Sequence, residues 1–368
     1  MIKNKKILIV TTQDDFVARF LLPHIKHLED NGNTVDCACN HSGFWFDEMK
    51  EQGIKLHEMC FTRFPFTLKN LKAKKRLFKL AKKEKYDLVI CHQPVGGIMG
   101  RLVAKKYKVP VIYIAHGFHF YKGCPKKNLL YKAIEKWASK RTDILVTMNQ
   151  EDYLASLKFK AKMNAKIHGI GVDLNKYSRV EDTSQTKAEL GINDGDFVLL
   201  SVGELNKNKN HELVIRAMEA FKGKPVKYFI CGEGPRHAEY EELIKKLGLE
   251  GQVQLLGYRK DIPAIISSSN VFVMPSMREG LPKSIMEAMV AGLPIVASNI
   301  RGCRDLVEEN KGGLLFDPRD KKSVEDAITT LINCPEKATE FGTYNQEKIK
   351  EYSIENVLAE MENIYDKI

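Results

Sequence analysis

Short runs of Val, Ile and Leu alternate along this chain with helix-length stretches whose apolar residues recur every three or four positions. The runs predict strands near 6–11, 34–39, 54–60, 87–92, 109–115, 143–148 and 165–170, with helices between them such as Phe16–Asn31 and Leu129–Arg141. After Gly169-Ile170-Gly171 the pattern lapses into a polar stretch, Val172 to Thr186. A second series then starts at Phe197–Val202 and continues near 226–231, 252–256, 271–274, 294–297 and 313–316. Strand and helix in strict alternation is the mark of βα units and parallel sheets, so the fold class is α/β. The break predicts two Rossmann-like domains in series, 1–172 and 173–352, facing a cleft. The last stretch, 353–368, predicts a helix with Val357, Met361, Ile364 and Tyr365 on one face, packing back on the first domain.

At 368 residues the chain suits two domains better than one. No stretch approaches the roughly 20 apolar residues that span a bilayer. The basic start, Met1–Lys6, is followed by only a strand-length apolar run, Ile7–Val10, so it does not read as a signal peptide and a cytoplasmic location is expected. The eight cysteines form no C-x-x-C pair and read as reduced packing residues. The net charge of +11 conceals an asymmetry: residues 1–180 carry +18 and the remainder −7. The basic half suits nucleic acid, anionic lipid or a polyanionic substrate.

Ligands of parallel sheets bind beyond the carboxyl ends of strands, so the segments there come first. Met274-Pro275-Ser276-Met277-Arg278-Glu279-Gly280-Leu281-Pro282 leads from a strand into a helix that starts near Pro282 and stops at Gly292. Gly280 permits close backbone approach, and the N–H groups at the helix start suit a diphosphate. Glu279 in the loop and Glu287 in the helix are placed to accept hydrogen bonds from vicinal hydroxyls; the competing reading makes Ser284 and Glu287 a capping box. Gly203–His211 ends the strand before it, and Lys207 or Lys209 is suited to neutralise a leaving diphosphate unless both are merely solvated. Gly232-Glu233-Gly234-Pro235 reads as a tight turn with Pro235 opening a helix. In the first half, Thr11-Thr12-Gln13-Asp14-Asp15-Phe16 lacks the G-x-G-x-x-G of dinucleotide enzymes, which weighs against an oxidoreductase. His116 and His119 follow the fifth strand. Asp194-Gly195-Asp196 has the letters of a D-x-D metal motif, but it precedes a strand and reads as a surface turn.

The stretch around Glu279 and Glu287 resembles the E-x7-E signature of glycosyltransferase family 4, whose members have the two-domain GT-B fold and retain anomeric configuration. The likeness extends to Val253–Gly257 with Tyr258, Asn270–Ser276, Gly292–Ser298 and Gly312–Leu315, and so covers most of 195–335. It implies that Glu279 holds hydroxyls of a donor sugar, that Glu287 holds the ribose, and that Gly257, Tyr258 and Arg259 lie near the base. Gly203, Glu204, Lys207, Gly280, Leu281, Pro282 and Ser284 would complete the donor site. The family usually carries an arginine directly after the glycine of the Gly203 loop and a lysine five residues on. Lys209 matches the lysine; Glu204 stands in place of the arginine, with Lys207 or Arg101 as substitute cations. His116 fits the family's active-site histidine. Thr12, Gln13, Asp14 and Phe16, with His119, would face the acceptor; members that build bacterial surface polysaccharides often have a Phe and a Pro in the first helix, here Phe20 and Pro23. The expected partners are a nucleotide sugar, a UDP-sugar, and a lipid-linked (polyprenyl diphosphate) saccharide, with no cofactor and no catalytic metal. The rival readings are a nucleotide-sugar epimerase or a phosphorylase of the same architecture, and a family member that binds without turnover.

The segment Arg63–Lys85 interleaves Arg63, Lys69, Lys72, Lys74, Lys75, Arg76, Lys79, Lys82, Lys83 and Lys85 with Phe64, Phe66, Leu68, Leu71, Leu77, Phe78 and Leu80. Such a helix suits an anionic bilayer, or else packs its apolar stripe on its own sheet. A second basic cluster, Lys122, Lys126, Lys127, Lys132, Lys136, Lys140 and Arg141, favours a membrane-facing first domain on the inner face of the cell membrane. No nucleic-acid-binding module is recognisable, and nucleic acid is not an expected partner.

Overall fold

Strands β1 (Lys6–Val10), β2 (Thr34–Asn40), β3 (Lys55–Met59), β4 (Leu88–His92), β5 (Val111–Ala115), β6 (Ile144–Thr147) and β7 (Met163–Lys166) form one sheet in the order 3-2-1-4-5-6-7. A second sheet, in the order 10-9-8-11-12-13, is built from β8 (Phe197–Val202), β9 (Val226–Cys231), β10 (Val253–Gly257), β11 (Val271–Met274), β12 (Ile295–Ser298) and β13 (Gly313–Phe316). Every pairing in both is parallel. This computed structural model describes every residue except Met1, Arg63, Pro65, Phe66 and Lys122. The chain divides into two units, residues 1–171 with 354–368, and residues 172–353.

Parallel strands covered by helices on both faces need apolar side chains on both, which is why β4 and β5 are buried at every position. In each sheet the chain first adds strands to one side of the opening strand and then crosses to the other. The switch points therefore lie between β1 and β4 and between β8 and β11, and the crevice beyond those strand ends is where such sheets bind ligands.

Several local expectations are corrected. The strand expected at 165–170 lies at Met163–Lys166, because Gly169 and Gly171 take φ of 81° and 82° and cannot continue a ladder. The first helix is not uniform: Asp14–Phe16 and Leu22–Asp30 are α-helical, and Val17–Leu21 is a π-helical turn. Pro23 causes this, since it has no N–H for the Arg19 carbonyl and its ring crowds that carbonyl. Pro235 does not open its helix, which runs His237–Leu247 from an Arg236 N-cap. The helix Leu68–Glu84 buries Ala73, Leu77 and Ala81 in its own unit's core, so its apolar stripe is packed; Leu68, Leu71 and Phe64 remain exposed with most of its lysines. Arg63, Phe66 and Lys122 of the two basic clusters lie outside the described residues. Asp194–Asp196 is a surface turn, closed by Asn193 N–H to the Asp196 carboxylate at 2.8 Å.

Candidate active site

In the second unit the two loops at the switch point are tied together. Pro275 follows β11, and the chain then runs alongside the loop that follows β8. Met277 N–H donates to Asn208 O at 2.7 Å, Asn208 Nδ2 to Arg278 O at 3.0 Å, and Asn210 Nδ2 to Pro275 O at 3.2 Å. This clamp brings Lys209 Nζ to 2.8 Å from Glu279 Oε1, with both side chains mostly buried. Two residues 70 positions apart thus form one ion pair at the strand ends. Gly203 lies beside it, and a Cβ on Gly232 would stand 2.0 Å from the Gly203 carbonyl oxygen, so the G-x-G-P turn walls this loop by backbone contact. Glu204 and Lys207 are exposed. Arg101 does not substitute for the missing arginine: it is buried in the first unit, donates to Glu135 through both terminal nitrogens at 2.9 and 3.2 Å, and covers the Tyr113 ring.

Gly280, Leu281 and Pro282 lead into the helix Lys283–Val290. Its N-cap is Pro282 and no side chain caps it, so Ser284 sits inside the first turn and the Ser284–Glu287 capping box does not form. Glu287 is buried, and burial raises its pKa above the usual carboxylate range against the opposing effects of Lys283, 4.0 Å away, and of a hydrogen bond from Tyr177. Burial in turn lowers the pKa of Lys283. At the edge, Gly257 takes a φ of 63° and accepts from Gly232 N–H at 2.7 Å. Tyr258 is half exposed, and Arg259 is committed to Asp261 and Glu189.

In the first unit, Thr12, Gln13 and Phe16 follow β1, and His116 follows β5. Thr12 is structural as well as placed: its N–H donates to Gln93 Oε1 at 2.9 Å and its Oγ1 accepts from Gly96 N–H at 3.2 Å. Asp14, expected at an acceptor, is fully buried and spent on Ser42, whose N–H and hydroxyl it accepts, and on Asp15 N–H. His116 Nε2 lies 2.9 Å from His92 Nδ1, and Phe16 meets the His116 ring edge-on at 4.7 Å between centroids. Both histidines line a small pocket whose walls include Ile9, Ile114, Met148, Met361 and Tyr365. Burial among these apolar groups, and then the nearby His24, lowers the His116 pKa to about 3; burial followed by His116 and His24 drives His92 well below its usual value. His119 is drawn elsewhere, stacked on Tyr131 with its carbonyl accepting from Asn128.

Sequence reading missed three residues that touch this machinery. His92 is the last residue of β4 and Arg301 lies three residues beyond β12, so the strand-end rule was available to find them. Tyr177 lies in the polar linker, where no pattern marks it.

Residues 182–348 match the family model described as glycosyl transferases group 1, and residues 6–149 match that described as glycosyl transferase 4-like. EpsD of Bacillus subtilis, named as a glycosyltransferase, is 35% identical over 98% of this chain and 96% of its own. The UDP-Gal:alpha-D-GlcNAc-diphosphoundecaprenol alpha-1,3-galactosyltransferase of Escherichia coli is 31% identical over 86% of this chain and 84% of its own. Among solved structures, Anabaena HepE in complex with UDP and glucose superposes with a TM-score of 0.84 at 21% identity, covering 99% of this chain and 100% of that one, which is a likeness of fold. The two parallel α/β units, the paired switch-point loops and these relatives place the chain in glycosyltransferase family 4, as a glycosyltransferase of GT-B fold.

Proposed function

We propose that this glycosyltransferase takes a UDP-sugar and transfers the sugar, with retention, to a lipid-linked acceptor of the polyprenyl diphosphate class during assembly of a surface polysaccharide. The observation that carries the reading is the Lys209–Glu279 pair clamped between the two switch-point loops. Breaking a sugar–phosphate bond requires charge on the departing diphosphate to be stabilised. Lys209 supplies a cation, and the uncapped first turn of Lys283–Val290 supplies backbone dipoles. Glu279 accepts from Lys209 through Oε1 and offers its other oxygen to a sugar hydroxyl; Glu287 takes the ribose hydroxyls. Gly257, Tyr258 and Arg259 border the base. With Lys209 and the helix start meeting the diphosphate charge, no metal and no cofactor enters the reading.

In the transfer step the bond from C1 to the diphosphate oxygen breaks, its electron pair staying with that oxygen. The acceptor oxygen bonds to C1 from the same face, and the acceptor's proton passes to the departing phosphate. No protein base is needed, which agrees with a His116 held neutral: its imidazole offers a hydrogen bond to the transferred sugar rather than a charge. Support for the donor and acceptor comes from the name of the E. coli relative and the UDP bound by HepE.

Docking of the first unit on the inner face of the membrane is supported by its basic surface. Exposed Leu68, Leu71, Leu129, Leu130 and Trp137 stand among exposed lysines on two helices, Leu68–Glu84 and Leu129–Ser139, a mixture suited to an anionic interface. Among the described residues no helix is long and apolar enough to cross a membrane.

The test incubates the protein with a panel of nucleotide sugars, with and without a membrane lipid extract, and scores release of nucleoside diphosphate. Release that depends on the extract is expected, and NMR of the product then reads the anomer. Binding without release from any donor would replace this reading with a non-catalytic nucleotide-sugar binder, and donor interconversion without lipid would replace it with an epimerase.

A further inference from the structure

Strand register brings His92 and His116 together. In the first sheet His92 pairs with Ile114, and alternate residues of a strand share a face, so His116, two residues beyond Ile114, falls on the face that carries His92. The two rings lie 5.2 Å apart between centroids, and Phe16 packs on both, 4.7 Å from His116 and 5.8 Å from His92. One hydrogen bond joins His92 Nδ1 to His116 Nε2, and among the described residues neither ring makes another. Burial holds both rings neutral. A neutral imidazole carries one N–H and one lone pair, so this bond decides where the proton of each ring sits. Its direction follows from the surroundings. His92 is 3% exposed, in a pocket walled by Ile9, Ile90 and Ile114. Were His116 the donor, the one N–H of His92 would sit on Nε2 without an acceptor; with His92 donating, only a lone pair is left there. A buried N–H without an acceptor is the rarer and costlier arrangement.

We propose that His92 is a positioning residue for the transfer: its Nδ1–H donates to His116 Nε2 and so places the proton of His116 on Nδ1, the nitrogen left to donate to the transferred sugar. The inference rests on the reading above that His116 meets that sugar. With the other tautomer His116 would present a lone pair at Nδ1 and accept from a sugar hydroxyl instead, so His92 sets the sense of the contact. The same bond, with Phe16 against the edge of the His116 ring, also fixes the rotation of that ring. A group held in its productive tautomer and orientation before the substrate arrives needs no rearrangement during the reaction. The chain supplies this support from the end of β4, 24 residues before His116.

The experiment reads histidine tautomers by NMR in the full chain with isotope-labelled ring nitrogens, beside transfer kinetics with UDP-sugars and lipid extract, in the native protein and in His92→Phe, His92→Asn and His116→Asn. The His116 signals are assigned by their loss in His116→Asn. Native His116 is expected to carry its proton on Nδ1, and in His92→Phe that proton should move to Nε2 or divide between the two nitrogens. In the same variant kcat should fall about ten- to a hundredfold while binding of nucleoside diphosphate stays the same. His92→Asn, whose amide nitrogen can donate from near the former Nδ1, should recover part of both the rate and the tautomer. A native His116 protonated on Nε2 would overturn the proposal, as would a native rate in His92→Phe. A loss of rate with the His116 tautomer unmoved would make His92 a packing residue and overturn it as well. Should His92→Phe unfold, His92→Gln carries the same comparison, because its amide reaches the place of Nε2 and misses that of Nδ1. Full transfer in His116→Asn defeats the reading of His116 itself; an inactive His116→Asn beside a fully active His92→Phe defeats only the role of His92.

Discussion

Burial around His116 and His92 decides the charge these residues carry, and that decision reaches both catalysis and stability. An ordinary histidine titrates near 6.5, whereas His116 is held at about 3 and His92 well below its usual value. In the second unit His211 is likewise buried and lowered to about 3. Between the folded and unfolded values the unfolded chain binds more protons, so the fold is fully favoured above about pH 6.5 and loses stability as pH falls below it. Each histidine kept neutral weakens the fold by about 1.4 kcal/mol per pH unit in that window. The melting temperature is therefore expected to fall progressively from about pH 6.5 downward, and His211→Asn should flatten that fall. For activity the consequence is the reverse: kcat/KM should pass through pH 6.5 with no inflection owed to His116. An acid limb near 6.5 that vanishes in His116→Asn would show a histidine that does change charge. Glu279, Glu287 and Lys209 were legible because each lies at a fixed spacing inside a short segment. Tyr177 was not, and at His92 and Arg301 the strand-end position marks only the place, since the partners of all three come from distant stretches of chain.

At the scale of elements, alternation of apolar runs with amphipathic stretches was enough to find the strands, because a sheet covered on both faces leaves little freedom in composition. The π-helical turn at Val17–Leu21 was not legible, since Pro23 in a helical pattern predicts a break or kink as readily as a widened turn. That turn follows Phe16, which contacts both His116 and His92, and contains Phe20, which contacts Phe16. Replacing Pro23 with Ala restores the missing N–H and allows a regular helix, which would rotate Phe16 relative to the histidines. The expected outcome is an unchanged or higher melting temperature with kcat/KM for the acceptor lowered about ten- to a hundredfold, as small displacements beside reacting groups do. Donor affinity, read by titration, should not move. Unchanged acceptor kinetics would mean that the π turn merely accommodates the proline.

At the scale of the whole molecule, the chain leaves the first unit at Gly171, builds the second, and returns at Ile354. The two crossings run side by side: Val172 N–H donates to Tyr352 O at 3.0 Å, and Val172 bridges Ser353. The returning helix Ile354–Tyr365 completes the first unit, burying Val357, Met361, Ile364 and Tyr365 and pairing Glu362 with His27 at 2.7 Å. Met361 and Tyr365 also wall the pocket beneath His92 and His116, so the last turn of the chain helps keep those imidazoles dry. Fully burying a large apolar side chain contributes about 1.5–3 kcal/mol, which makes four of them comparable to the roughly 5–15 kcal/mol that holds a whole domain together. Ending the chain after Ser353 should therefore unfold the first unit and leave the second intact. Calorimetry would show one transition lost and one retained, and hydrogen exchange would show protection gone from β1, β4 and β5 but kept in β8 and β11. Transfer to acceptor should disappear while binding of nucleoside diphosphate persists. If both transitions survived the truncation, the first unit would stand on its own core, and the return of the chain would serve to connect the units rather than to complete one of them.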